Sequence, residues 1–116
     1  MNWSPKELEW IENNGDTLNS GDPDRIITKV WKDLGFGYHK LLLSVIFLLN
    51  LPIKLVKDRF TRNWQLRADF EYSSEVMVLD NLFLLDRKQV ISKLKDEVLP
   101  ELGLPKEVIE YIINNL

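Results

Sequence analysis

Five basic side chains, Lys54, Lys57, Arg59, Arg62 and Arg67, fall within fourteen residues and are interleaved with Phe60 and Trp64. Guanidinium forks hold carboxylates or phosphates through paired hydrogen bonds, and aromatic faces stack on bases or fill pockets on a protein. The charge is local. Residues 36–68 carry six basic and one acidic side chain, whereas the whole chain has a net charge of −3. The flanking stretches are acidic, with four basic against seven acidic over 1–35 and five against ten over 69–116. The segment can dock on an acidic protein surface, bind nucleic acid, or pair internally with the acidic C-terminal helices while Phe60 and Trp64 enter the core.

Other chemistry is sparse. His39 is the single histidine, so any histidine base must be this one, and it stands at the entry to a strongly apolar helix. A helix-end histidine packed against its neighbours explains it as well as a hydrolase does. There is no cysteine, which removes thiolate nucleophiles, disulfides and cysteine-ligated zinc, and fits a reducing compartment. No metal or cofactor is expected. Asp16, Asn19, Asp22 and Asp24 gather oxygen ligands, but a calcium loop read from Asp16 puts Leu18 third and Ile27 twelfth. Gly35-Phe36-Gly37 lacks the third glycine and the preceding strand of a dinucleotide loop. Glu7, Glu9 and Glu12, or Asp96 with Glu97, sit on expected exposed faces with no apolar pocket to raise a pKa.

These residues must be positioned by elements that the pattern largely defines. Trp3, Ser4, Pro5, Glu7 and Leu8 form a capping box with a hydrophobic staple, predicting a helix at about 5–13. A polar loop follows over Asp16–Asp22. Asp22 and Pro23 open a second helix whose Ile26, Ile27, Val30, Trp31 and Leu34 share one face, and Gly35 stops it, with Phe36 returning to Trp31. Leu41–Leu51 is apolar at nine of eleven positions. As a helix this run is about 16 Å long, too short for a bilayer, and it predicts an enclosed helix at about 38–50. After Pro52, Ile53, Val56, Phe60 and Trp64 share one side of a helical wheel, which predicts a basic amphipathic helix.

From Trp64 to Tyr72 the period changes to two, predicting a strand, with Ser73-Ser74-Glu75 turning into Val76–Leu79. Alternatively Ser73 or Ser74 caps a helix to Leu85. A hairpin would leave edges that invite dimerisation or strand addition. Asp86 and Gln89 start another helix that Pro100 stops, and Pro105 opens a last one burying Val108, Ile109, Ile112, Ile113 and Leu116.

The expectation is one mainly α domain over 1–116, a helical bundle around the 38–50 helix with one β-hairpin at about 64–79; the alternative is all-α. The function expected is non-enzymatic: a small inhibitor, neutralising (immunity- or antitoxin-like) or adaptor protein. Lys54, Lys57, Arg59, Arg62 and Arg67 would meet an acidic patch on a partner protein. Nucleic-acid regulation through the same patch is the alternative, and a hydrolase using His39 ranks third. The N-terminus has no basic-then-apolar signal pattern, so the Asn2-Trp3-Ser4 sequon is read as chance and the expected location is cytoplasmic, away from membranes.

Overall fold

A computed structural model describes residues 2–68 and 75–116, Glu75 by its backbone alone. Helix α1 (Pro5–Asn13) starts at the expected capping box. The Ser4 hydroxyl accepts from the Glu7 amide at 3.2 Å, and the Glu7 carboxylate accepts from the Ser4 amide at 3.1 Å. Two end donors are thus satisfied reciprocally. The stretch read as a polar loop instead holds a short helix, α2 (Gly15–Asn19). Asp22 caps α3 (Pro23–Leu34), which buries Ile26, Ile27 and Val30. Trp10 fastens α1 to α3 by donating its indole N–H to Asp33 at 3.0 Å. Hydrogen bonds from Lys29, and then from Trp10, hold the Asp33 carboxyl below the ordinary carboxylate range. Gly35 takes φ +95°, open to glycine at little cost, and Phe36 folds back on Trp31 with ring centroids 5.4 Å apart.

Helix α4 (His39–Leu48) is the centre of the fold. Leu41 to Ile46 are buried in an unbroken row, and Ser44 within it donates to the Lys40 carbonyl at 2.7 Å. The polar residue is thereby satisfied inside its own helix.

Beyond Pro52 the structure departs from the expected bundle. Strands β1 (Ile53–Lys57), β2 (Trp64–Ala68) and β3 (Glu75–Leu79) form an antiparallel sheet in that order. The basic segment is therefore a strand, a loop and part of a second strand, not an amphipathic helix. Ile53 and Leu55 enter the core while Lys54 faces out, so the operative period is two. The helical-wheel match of Ile53, Val56, Phe60 and Trp64 joined residues of different elements. The expected hairpin at 64–79 exists as β2 and β3, and β1 widens it to three strands. The all-α alternative fails, and so does a helix through Val76–Leu79. Phe70, Tyr72, Ser73 and Ser74, assigned to a strand end and its turn, lie outside the described residues.

Leu55, Leu66 and Met77 lie in one row across the sheet. A bulge beside Leu66 leaves Val76 without a counterpart on β2, and Val76 packs into the core. The chain is thus mainly helical with a three-stranded antiparallel sheet, a mixed α/β arrangement.

Helix α5 (Arg87–Lys93) has the expected Asp86–Gln89 capping box. Pro100 does not stop the helical path. A π-turn (Leu94–Val98), in which the Leu99 amide bonds to the Leu94 carbonyl, carries it into α6 (Leu99–Glu101). The wider turn accommodates the proline while Leu94 and Leu99 both stay fully buried. Helix α7 (Lys106–Asn115) buries Val108 and Ile112, whereas Ile109, Ile113 and Leu116 are half-buried. Tyr111 donates its hydroxyl to the Leu51 carbonyl and meets the Phe47 ring edge-on. Among the described residues no helix is long and apolar enough to cross a membrane.

Candidate functional site

Antiparallel order brings two loops to one end of the sheet. Lys57 ends β1, Trp64 begins β2 and Leu79 ends β3, and the three share one row. The loops 58–63 and 80–86 both leave from that row. Phe60 in the first is 89% exposed, Leu84 in the second is 85% exposed, and Phe83 is partly exposed beside it. Phe83 and Leu84 are adjacent in the chain, and with Phe60 they leave large apolar side chains in water at this end of the sheet.

Loop 58–63 is pinned from within. The Asp58 amide donates to the Asn63 carbonyl at 2.8 Å, and the Arg62 amide donates to the Asp58 carbonyl at 2.9 Å. The Asp58 carboxylate accepts from the Thr61 hydroxyl at 2.6 Å and the Thr61 amide at 2.7 Å. These Thr61 bonds hold the Asp58 carboxyl below the ordinary carboxylate range. Arg62 sits at φ +62°, a left-handed conformation that glycine adopts far more readily. The loop therefore keeps an arginine where backbone energetics alone favour another residue.

The five basic residues separate into three roles. Lys57 is committed internally: its ammonium donates to the Phe83 carbonyl at 3.1 Å and stands 5.5 Å from the Trp64 ring centroid. It ties the two loops together. Lys54 and Arg67 face each other across β1 and β2, with Glu75 opposite Arg67 on β3, and both are engaged in contacts of their own. Arg59 and Arg62 remain as exposed charges flanking Phe60. Trp64 is core, and its indole N–H donates to the Leu85 carbonyl at 3.1 Å. The aromatic pair is thus split, Trp64 inside and Phe60 outside.

The remaining candidates lie elsewhere. His39 opens α4, half-buried, and burial holds its pKa below the ordinary histidine value. Ser4, Glu7 and Glu101 share a surface depression with it, but among the described residues no hydrogen bond joins any of them to the imidazole. The Ser4 hydroxyl and the Glu7 carboxylate already serve the α1 cap. Asp22 is spent on the α3 cap, accepting from the Arg25 amide at 3.4 Å.

Two features escaped the sequence reading. Phe83 and Leu84 belong to the run Leu82–Leu85, whose apolar character between Asn81 and the Asp86 cap was the available signal. Gln65 is 8% exposed at mid-strand, and among the described residues nothing bonds to its Oε1. No known protein family, curated protein or solved structure matches the chain.

Proposed function

We propose that this protein is a non-enzymatic interaction module that inhibits, neutralises or adapts a partner protein. The observation that carries the reading is the pinned loop 58–63, which displays Phe60 between Arg59 and Arg62. Phe60 and Leu84 are the apolar anchors, and the two arginines surround Phe60 with paired donors for carboxylates. A loop already fixed by Asp58 and Thr61 loses little freedom on association, so its contacts convert to affinity efficiently. The partner surface complementary to it is apolar at its centre with acidic groups at its rim.

Exposed Phe60 between arginines also suits stacking on an unpaired base, the second reading. A pull-down with nuclease treatment separates the two. A discrete protein retained after nuclease, and lost when Phe60→Ser is combined with Arg59→Glu, supports the protein-binding reading. Association that disappears with nuclease and weakens steeply with salt supports the other.

A further inference from the structure

We propose that the outer edge of β3 is a second binding site, which takes an extended peptide alternating apolar and basic residues as a fourth strand. The two sheet edges differ. On β1 the Arg87 guanidinium donates to the Leu55 carbonyl at 2.9 Å and to the Leu116 carbonyl at 2.9 Å, so the start of α5 and the residue after α7 occupy that edge. Among the described residues no side-chain hydrogen bond of that kind reaches the outer edge of β3.

The direction of its backbone groups follows from the register. The Leu55 carbonyl points away from β2, and the amide and carbonyl of a strand residue point the same way. Leu55 pairs with Leu66, so Leu66 directs its groups to β3 and Gln65 directs its own to β1. Val78, opposite Gln65, therefore turns its N–H and C=O outward from the sheet.

A cleft of about 230 Å³ runs there, lined by Val76, Met77, Val78 and Asp80 on one side and by Trp31, Phe36 and His39 on the other. Consecutive residues 76–78 all line it, although their side chains alternate between faces, which places the cleft along the strand edge. Phe36 is 74% exposed at its rim.

The occupant follows from shape and charge. Trp31, Phe36 and His39, on and beside the α3–α4 turn, stand opposite β3, so the proposed occupant is a single extended chain. A second copy's β3 would bring the same three residues with it, which disfavours edge-to-edge pairing of two copies. Met77 and Val78 with the Trp31 and Phe36 rings offer apolar contact, and among the described lining residues Asp80 carries the negative charge, so the alternate positions favour lysine or arginine. This site lies apart from the Phe60 loop and does not rest on the function proposed for it.

The test is a fluorescence-anisotropy titration with a labelled octapeptide alternating valine with lysine or threonine. The expected result is saturable binding that falls at least tenfold in Val78→Pro and falls in Phe36→Ala, with Arg59→Glu/Arg62→Glu unchanged. Proline at Val78 removes only an outward amide, so β2–β3 pairing is retained. A backbone N-methylated form of the peptide tests the wild-type protein without any mutation, and it must lose binding. Replacing its lysines by glutamates must weaken it. Absence of saturable binding, equal binding by the N-methylated peptide, or a wild-type dimer in sedimentation that Val78→Pro dissociates would overturn the proposal.

Discussion

The Lys57 ammonium stands 5.5 Å from the centroid of the Trp64 ring, at the row where β1 and β2 meet the loop end of the sheet. It also donates to the Phe83 carbonyl, so one side chain joins the loop bearing Phe60 to the loop bearing Leu84. Lys57→Met keeps an unbranched side chain but loses the cation and the donor. A partly exposed cation–π contact and one hydrogen bond to a charged group are together worth about 1–2 kcal/mol. Urea unfolding is expected to show a loss of that order. Unchanged stability would mean that the contact does not hold the loops.

Arg62 separates stability from binding. Its positive φ costs about 1–2 kcal/mol relative to a residue at ease there. Arg62→Gly is expected to leave the protein at least as stable in urea unfolding, because strain relief offsets the added freedom of the unfolded chain. The same substitution is expected to weaken partner binding. A clear loss of stability would show that the arginine is kept for structure.

Gln65 is buried with an acceptor that has no partner among the described residues. Leaving such a group unsatisfied costs about 1–3 kcal/mol, so Gln65→Met, similar in shape, is expected to raise the melting temperature. A lowered melting temperature would show that the amide makes a stabilising bond.

Burial holds His39 below its ordinary pKa of about 6.5. Below that pH the unfolded chain takes up the proton more readily than the folded one. The His39 contribution is therefore complete above about pH 6.5 and declines as the pH falls toward the lower folded value. Urea midpoints at pH 7.5 and 5.5 are expected to differ more for wild type than for His39→Gln. An identical difference in both proteins would assign the effect to other groups.

Ile46, fully buried on α4, tests the centre of the fold. Ile46→Ala removes buried methylenes from a close-packed site and is expected to cost about 2–5 kcal/mol in calorimetry or denaturant unfolding. A cost below 1 kcal/mol would place the core elsewhere.

What the sequence disclosed follows from the range of the forces involved. The caps at Ser4–Glu7, Asp22 and Asp86–Gln89 were legible because each satisfies backbone donors within three residues. The α4 helix was legible because an apolar run of that length has to be enclosed. β1 was not, since five residues fit either period and the deciding partner is β2, whose pairing is non-local. Pro100 was misread because burial of Leu94 and Leu99 on both sides outweighs the local helix-breaking tendency. At the candidate site the basic residues were visible, but their division was not. Only the fold sends Trp64 inward, holds Lys57 against Phe83 and leaves Phe60 in water.

In the function proposed above, Arg59, Phe60 and Arg62 grip a partner protein. The most direct measurement of that grip is nuclease-treated affinity capture by wild type and by the Arg59→Glu/Phe60→Ser/Arg62→Glu variant, both verified as folded by circular dichroism. The expected result is a discrete protein retained by wild type and lost by the variant. Equal retention by both, or a wild-type capture that nuclease abolishes, would contradict it.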